Sequence, residues 1–444
     1  MPPKPWPAPR CPPRASKPTR VTAVADTAPA LRVQLERQVA HWSAACTRLA
    51  LDDLAGAEAW SRLERYLGLS LRRHLQGVID RLAADARVLV AMQAAAGSNT
   101  ALAELQRQML KLRARYLRAE TTLDFFADAI NTRTSPELSA LLRACDTLAH
   151  RSMSLALDPL GLTAPVALTY IDKGLGASIL KAGLRLWDGG DVCPVAAIKI
   201  TRHNLLRPTS LIHEAGHQVA HVAGWNEELA AVLADGLRRE GATADTAHAW
   251  SAWASEIAAD AFAFAHTGYA SVAALHDVVA GEADTVWRHI PGDPHPVSWL
   301  RVMLGVQSCR HCWGAGPWDE LAEAWQALHP LARAPQPLRE LAEASLPLLD
   351  AVVRLTLLTP MRAFKGQPLA ALLPPERVSP RALAELDTRI GPALYTSAHW
   401  LWSEPLRILG LTGLRLAETP ERLNTILDLQ QQSMLRLGGA LQAA

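Results

Sequence analysis

Apolar residues recur every three or four positions through the first third of the chain. In the first such series they are Leu31, Leu35, Val39, Trp42, Cys46 and Leu49, and the spacing predicts an amphipathic helix. The same spacing continues through residues 71–89 and from Leu102 to Phe126, and a further helix is predicted from Ser135-Pro136-Glu137 to about Leu157. Short connections between these helices predict an antiparallel bundle, because an apolar helix face must be buried.

The middle of the chain changes to a pattern typical of strands. Ala182–Trp187 and Val195–Ile200 are two short apolar runs joined by Asp188-Gly189-Gly190-Asp191, which predicts a β-hairpin. Such a hairpin offers an edge strand that an extended peptide can extend by main-chain hydrogen bonds, although a purely structural hairpin is the alternative. Thr209 or Ser210 is then predicted as the N-cap of the next helix.

Helical spacing returns in the last third of the chain. The predicted helices there are Trp318–Leu328, Leu338–Phe364, Arg381–Arg389 and Pro420–Leu437, and Pro347 and Pro360 are expected to kink or end the second one. The chain is therefore predicted to be mainly α with a small β-hairpin or sheet (α+β). The predicted divisions are a disordered tail over 1–27, a helical bundle over 28–160, a central domain over 161–310 and a helical region over 311–444.

Composition and charge exclude several classes of partner. The chain has 444 residues with 45 basic and 43 acidic side chains, so its net charge of +2 argues against nucleic acid or a membrane surface as the main partner. No run approaches 18 apolar residues, and the first 27 residues contain no apolar core of a secretory signal. A cytoplasmic location is expected, with export by a non-classical route left open. The oligomeric state stays unknown.

Two further features of composition bear on possible sites. Residues 1–20 contain eight prolines and five basic residues without an acid, which predicts disorder. Six scattered cysteines are typical of a reducing compartment. Cys309-Arg310-His311-Cys312 resembles half of a zinc site, but a closed site needs four donors and no second pair accompanies it.

The pattern with the clearest chemistry is His213-Glu214-Ala215-Gly216-His217. Two histidines four positions apart lie on one face of a helix, so both imidazoles can reach one metal ion while Glu214 lies beside them. This is the H-E-x-x-H arrangement of zinc hydrolases. Catalytic zinc takes three ligands from the protein and one water molecule, so a third protein ligand is required.

Two candidates for the third ligand follow the motif. His221 lies two helical turns beyond His213, roughly 12 Å along the axis, and is expected to be a surface residue. Glu256 and Asp260 share one face of an alanine-rich helix further along the chain. Glu256 can ligate zinc while Asp260 accepts a hydrogen bond from a ligand histidine; two solvated acids on a helix surface are the alternative.

A third block completes a recognisable series. His295-Pro296-Val297-Ser298-Trp299-Leu300-Arg301 follows H-E-x-x-H and the block from Glu256 to Asp260, and this order resembles the gluzincin zinc metallopeptidases. The resemblance is to the catalytic part of the group that contains the CAAX prenyl proteases and the HtpX heat-shock proteases. It covers roughly residues 175–305, and the transmembrane helices of that group are missing.

The resemblance implies a zincin-like catalytic domain with one catalytic zinc ion and a peptide or protein substrate. His213, His217 and Glu256 would hold the metal, and Glu214 would be the general base. Asp260 would orient a ligand histidine. In the third block, His295 would stabilise the oxyanion, and Arg301 would support the site or bind substrate. The alternatives are a catalytically silent scaffold or adaptor and a zinc hydrolase of a non-peptide amide.

Overall fold

A computed structural model describes residues 28–174, 176–182 and 193–440. These residues are mainly helical and contain one three-stranded sheet, which confirms the predicted mainly α class with a small sheet. The helices before the sheet are α1 (Ala28–Arg48), α2 (Ala57–Leu67), α3 (Leu71–Ala95), α4 (Asn99–Asn131) and α5 (Pro136–Leu157). The strands are β1 (Ala167–Ile171), β2 (Ser178–Leu180) and β3 (Ala196–Ile200).

Sixteen helices follow the sheet within the described residues. They are α6 (Thr209–Ala223), α7 (Trp225–Arg239), α8 (Ala244–Ala252), α9 (Ala254–Thr267), α10 (Tyr269–Val279), α11 (Ala283–Val286), α12 (Ser298–Trp313), α13 (Pro317–Leu328), α14 (Gln336–Ser345), α15 (Leu349–Leu357), α16 (Leu369–Leu372), α17 (Pro380–Ile390), α18 (Ala393–Thr396), α19 (Ala398–Ser403), α20 (Pro405–Glu418) and α21 (Leu423–Ala440). No helix among the described residues is long and apolar enough to cross a membrane.

The described residues divide into two compact units. The smaller unit comprises 28–49 and 79–116, and thus α1 with parts of α3 and α4. Most of the apolar series that predicts these helices is buried or half-buried inside it, as the full burial of Val39 illustrates, although Leu31 is exposed. The ring of Trp42 on α1 lies 5.6 Å from that of Tyr116 on α4, and Arg115 Nη1 lies 2.8 Å from Asp85 Oδ2.

The larger unit comprises residues 50–78 and 117–440. Helix α5 is central to it, since α5 packs against α21, α6 and β1. The tryptophans of the central region fill its core, and Trp225, Trp250 and Trp299 are fully buried. Both units are defined by contacts within the described residues, and the domain boundaries predicted from the sequence stay predictions.

The sheet differs from a simple hairpin. β3 confirms the strand predicted at Val195–Ile200, and it lies between β1, which is parallel to it, and β2, which is antiparallel. The partner strand predicted at Ala182–Trp187 falls almost wholly outside the described residues, since 183–192 are not described. Within the described residues β3 is therefore an inner strand, and β1 and β2 form the edges.

Helix α6 carries the H-E-x-x-H motif and begins one residue earlier than the capping prediction requires. Pro208 is the N-cap, and its carbonyl oxygen accepts the N–H of Leu211 at 3.2 Å. The expectation that Thr209 or Ser210 caps the helix is wrong, because Thr209 is already the first helical residue and no side chain caps this end. The helix ends at Gly224, whose φ of 69° is the left-handed conformation that glycine tolerates best.

Close contact between α6 and α9 brings the two predicted ligand segments together. Gly216 lies inside the motif, and a Cβ atom at this position would be 2.9 Å from Ala259 Cα. The two backbones can approach this closely only because glycine has no side chain.

The predicted effect of proline on the long C-terminal helix is confirmed, since α14 ends before Pro347 and α15 ends before Pro360.

Candidate metal centre

Three side chains from α6 and α9 converge at the centre of the larger unit. His213 Nε2 lies 3.4 Å from Glu256 Oε2, and His217 Nε2 lies 3.1 Å from Glu256 Oε1. One ligand atom of each residue lies within 4.8 Å of the others, and no other group of three potential metal ligands occurs among the described residues. The structure therefore brings together the three residues that the sequence analysis assigns to a metal.

The donor set fits a divalent metal ion in spacing and in chemistry. Nitrogen and oxygen ligands at about 2.0–2.1 Å from a tetrahedral zinc ion are separated from each other by roughly 3.3 Å. The observed separations of 3.1 and 3.4 Å match that value. Glu256 is only 4% exposed, yet its Oε2 atom has no hydrogen-bond partner. A buried acceptor without a donor is costly, and a cation would satisfy it.

Each ligand histidine is held through its other ring nitrogen. His213 Nδ1 lies 2.8 Å from Asp260 Oδ1. His217 Nδ1 lies 3.3 Å from the hydroxyl oxygen of Ser255. When Nδ1 of His213 donates to the carboxylate, the neutral ring carries its lone pair on Nε2, which points toward Glu256. These contacts fix ring orientations that direct both Nε2 atoms to the same point.

Arg301 joins the two carboxylates of α9. Its Nε and Nη2 atoms donate to the two carboxylate oxygens of Asp260 at 2.6 and 2.8 Å, which is a bidentate pair. Nη2 also lies 2.9 Å from Glu256 Oε2, although the angle there is not that of a hydrogen bond. Arg301 is buried, and the carboxylates of Asp260 and Glu256 compensate its positive charge.

The charges in this cluster shift one another strongly. Burial alone would raise the pKa of Glu256, but hydrogen bonds with His213 and His217 and the charge of Arg301 outweigh it and hold that pKa far below its usual range. Burial likewise opposes ionisation of Asp260, yet Arg301 and His213 lower its pKa to about 2. Against the effect of burial, the hydrogen bond with Asp260 raises the pKa of His213 to about 9.

Glu214 and Lys181 lie near these ligands. Glu214 projects from α6, is 8% exposed and lines the cleft that opens onto the metal ligands. Lys181 follows β2 and is half-buried. Burial lowers the pKa of Lys181, while the nearby charges of Glu214, Glu256 and Glu227 oppose that shift. A cation is thus held close to the predicted general base.

His295 approaches the cluster from the loop before α12. Its side chain is 59% exposed, and its Nε2 atom lies 3.7 Å from Glu256 Oε1. Asp293 holds the other side of the ring, with Oδ1 at 2.5 Å from Nδ1 and at 3.0 Å from the backbone nitrogen of His295. Since Nδ1 donates to this carboxylate, the contact fixes the ring orientation and leaves Nε2 on the side of Glu256.

The cleft beside the cluster extends into a cavity of about 310 Å³. Its polar end is lined by His213, Glu256 and Glu214, and Gly176 and Ala177 ahead of β2 form part of its lining. The opposite wall is apolar and comes from α10, α12 and α15: it is formed by Val272, Leu275, Val278, Leu304, Val353 and Leu357. This size and polarity are those of a pocket for a small organic group or side chain.

The other candidates from the sequence do not join this centre. His221 is exposed at the end of α6. Cys309 and Cys312 lie one turn apart on α12, and no third potential ligand accompanies them among the described residues. Burial raises the pKa of both thiols, which disfavours the thiolate form that binds metal.

Reasoning from the sequence missed three residues whose side chains lie beside the candidate metal site. Ser255 adjoins the ligand Glu256, and Asp293 precedes His295 by two residues, so proximity in sequence was the only available signal for either. Lys181 lies 32 residues before His213 with no pattern linking the two.

Comparison with known proteins does not place the chain in a family, since no family model, no curated protein and no solved structure matches it. Function is therefore inferred from the geometry of the site.

Proposed function

We propose that the chain is a zinc-dependent peptidase that hydrolyses peptide bonds with Glu214 as general base. The observation that carries this proposal is the convergence of His213, His217 and Glu256 around an unsatisfied buried oxygen, at the polar end of a cavity that Glu214 also lines. The order of the motifs along the chain supports the same function by its resemblance to gluzincins.

The metal ligands would be His213, His217 and Glu256. A bound zinc ion would supply Lewis acidity, polarising the scissile carbonyl and lowering the pKa of a water molecule toward about 7. Asp260 and Ser255 keep the two imidazole rings oriented, and Arg301 balances the charge of the carboxylates. These outer contacts set the basicity and direction of the ligands.

Glu214 moves the proton during hydrolysis. Its carboxylate accepts a proton from the attacking water as the new C–O bond forms at the carbonyl carbon. It then gives the same proton to the amide nitrogen as the C–N bond breaks, so that one water is consumed and an acid and an amine are released. Burial of Glu214 in the cleft wall limits exchange of this proton with solvent.

His295 is placed to stabilise negative charge on the carbonyl oxygen. Its Nε2 atom would donate when the ring is protonated, and Asp293 keeps the ring orientation. A single donor to a developing oxyanion contributes about 3–4 kcal/mol to transition-state stabilisation in other hydrolases. Asp293 thereby becomes a positioning residue of the same site.

The apolar wall indicates the kind of substrate that fits. Val272, Leu275, Leu304, Val353 and Leu357 surround the cavity beyond the catalytic groups. A bulky aliphatic or aromatic side chain next to the scissile bond would bury its surface there, which stabilises binding by roughly 1.5–3 kcal/mol per side chain. We expect peptides with such a residue to be cleaved in preference to peptides with aspartate or lysine at that position.

The first experiment is to measure zinc per chain in the wild type, Glu256→Ala and Glu214→Gln. We expect one zinc in the wild type, marked weakening in Glu256→Ala, and retention in Glu214→Gln. Cleavage of a mixed peptide library should fall by about 10²–10⁴-fold in Glu214→Gln, because the amide cannot accept the proton. Zinc analysis separates loss of metal from loss of the base.

Two outcomes would contradict the proposal. A wild type that holds no zinc when supplied with it, or that binds zinc and leaves the library uncut, would favour a scaffold function. Full activity in Glu214→Gln would disprove the role of that residue. Cleavage of an aryl amide but of no peptide would instead indicate a hydrolase of non-peptide amides.

A further inference from the structure

A second cavity in the larger unit has a different chemistry. It measures about 80 Å³ and shares no lining residue with the metal-site cleft. Its walls come from α5, the end of α9, residues 372–378 and residues 403–407 at the start of α20. One ordered water needs roughly 10–15 Å³ of such volume, so this cavity has room for a group of several non-hydrogen atoms.

Positive charge dominates the lining of this cavity. Three arginines, Arg151, Arg377 and Arg407, face one acid, Glu404. Glu404 Oε2 lies 3.3 Å from Arg377 Nη2 and 3.5 Å from Arg407 Nη1, so the acid is already shared by two of them. The local charge is therefore about +2 (three positive minus one negative), and burial lowers the pKa of Arg407.

Buried polar atoms without partners are concentrated at the same place. Arg151 Nε, His266 Nε2 and Ser403 Oγ are buried, and none has a hydrogen-bond partner. All three residues line this one cavity, and His266 is only 5% exposed. Arg151 Nε and Ser403 Oγ are donors, and buried donors without an acceptor are costly, so two of them around one cavity indicate a missing acceptor.

The start of α20 adds a further attraction for negative charge. Glu404 is the N-cap, and its side chain makes no capping hydrogen bond to the helix. Pro405, at the first helical position, has no N–H, and the next residues present the free amides of a 14-residue helix. The positive end of the helix dipole therefore lies beside the three arginines.

We propose that this cavity binds a phosphate ion or a phosphate group. Arg151, Arg377 and Arg407 supply the positive charge, and the hydroxyl of Ser403 donates a hydrogen bond. A doubly charged phosphate matches the local charge of +2 and offers enough acceptor oxygens for both orphaned donors. Glu404 is the one repulsive group, and its pairing with two arginines offsets that repulsion.

The test is calorimetric titration of the full chain with inorganic phosphate, replacing chloride at constant ionic strength. We expect saturable binding with one phosphate per chain. Arg151→Met keeps an apolar stem over the ring of Trp402, whose centroid lies 5.6 Å from Arg151 Cζ, but removes the guanidinium. Loss of one charged donor should weaken phosphate binding about 10- to 100-fold.

Arg381→Met is the matched control. Arg381 is 89% exposed on α17, pairs with Glu385 and does not line the cavity. The Arg381→Met substitution removes the same charge from an exposed position. Because exposed charges are screened by salt, the affinity of this variant for phosphate should stay within about twofold of the wild type.

Three results would overturn the proposal: no saturable binding of phosphate to the wild type, equal weakening by both variants, or tight binding of acetate with none of phosphate. The last would identify a carboxylate site. Thermal unfolding of the wild type is an independent measurement if Arg151→Met does not fold. Its midpoint should rise with phosphate concentration relative to chloride, and an unchanged midpoint counts against the site.

Discussion

Two carboxylates of the larger unit are equally buried and have opposite surroundings. Asp146 on α5 is 4% exposed and accepts hydrogen bonds from the backbone and hydroxyl of Thr169, from Tyr66 and from Arg133, all between 2.6 and 3.0 Å. Glu256 on α9 is also 4% exposed, but one of its oxygens has no hydrogen bond and both face imidazole nitrogens.

The difference separates a structural carboxylate from a candidate metal ligand. Every neighbour of Asp146 brings its own hydrogen, so its negative charge is neutralised by donors and no cation is needed. His213 presents the lone pair of Nε2 to Glu256, because its Nδ1 atom donates to Asp260. Two acceptors that face each other require either a shared proton or a metal ion between them.

The largest expected effects come from removing each carboxylate in turn. Asp146→Ala leaves Arg133 buried without its partner and should lower the free energy of unfolding by about 3–5 kcal/mol, with no effect on zinc affinity in the folded protein. Glu256→Ala should weaken zinc binding at least about 100-fold, because one of three ligands is lost. Chemical denaturation with a chelator present, together with zinc titration, measures both quantities for both variants.

The comparison requires that Asp146→Ala lowers stability without changing zinc affinity, whereas Glu256→Ala lowers zinc affinity. Wild-type zinc affinity in Glu256→Ala would show that Glu256 is not a ligand. If Asp146→Ala reduced zinc affinity as strongly as Glu256→Ala while remaining folded, the distinction between the two carboxylates would be wrong.

A smaller effect is expected from the helix contact that brings the ligands together. Gly216→Ala places a methyl group 2.9 Å from the backbone of Ala259, so α6 and α9 must separate, at a cost of about 1–3 kcal/mol in stability. Zinc affinity should fall as well, since His217 and Glu256 move apart. Zinc titration and denaturation measure the two effects.

Gly236→Ala is the control for that substitution. Its methyl group would meet only the flexible end of Leu355, at 2.6 Å, on a contact between α7 and α15. Rotation of that side chain can relieve the clash, and zinc affinity should be unchanged. Equal loss of zinc affinity in both glycine variants would mean that general destabilisation, not helix separation, is responsible.

His266 extends the comparison to a buried group with an orphaned nitrogen but no carboxylate facing it. Burial, with the charge of Arg377, lowers its pKa to about 3, although the backbone of Ser152 opposes this shift. Below the unfolded pKa of about 6.5, only the unfolded state takes up the proton, so stability is lost as pH falls from 6.5 toward 3. Between pH 7 and pH 5 the expected loss is about 2 kcal/mol.

His266→Gln should remove that part of the pH dependence, as denaturation at pH 7 and pH 5 in phosphate-free buffer would show. Exposed His399 offers the control, and His399→Gln should keep the wild-type slope. The nearby charges of Arg151, Arg407 and Glu404 remain in both variants. An unchanged slope in His266→Gln would mean that the buried imidazole accepts a proton as readily as in the unfolded chain.

Periodicity in the sequence predicted many of the helices, because a helix with one buried face has apolar residues every three or four positions along the chain. The buried positions on α1, α3 and α4 are those that the three-and-four spacing indicates. The sheet was predicted only in part: β3 was found from its apolar run, whereas β1 was missed although residues 166–171 contain Val, Thr, Tyr and Ile, which favour a strand. The pairing of β3 with β1 and β2 joins segments that are distant in sequence, and no local pattern in the sequence indicates it.

The candidate ligand set was predictable for a related reason. His213, Glu214 and His217 are fixed by one helical turn, and Glu256 and Asp260 by another. What the sequence could not supply is how the two helices meet, which depends on Gly216, and which side chains complete the outer contacts. Asp293 and Lys181 approach through loops, whose course is set by tertiary packing rather than by local preference.

The smallest effects concern these outer contacts, where Asp260 holds one ligand ring and Ser255 the other. Asp260→Asn keeps an oxygen for His213 Nδ1 but loses the charge that pairs with Arg301, so zinc affinity should fall about 10- to 100-fold. Ser255→Ala removes one neutral hydrogen bond at 3.3 Å from His217 Nδ1, which is worth roughly 0.5–1.5 kcal/mol, or about two- to tenfold in affinity. Competition with a chromophoric chelator resolves both. The order matters more than either value: if Ser255→Ala proved the more damaging, orientation of His217 rather than the charge behind His213 would limit how tightly the site holds its metal.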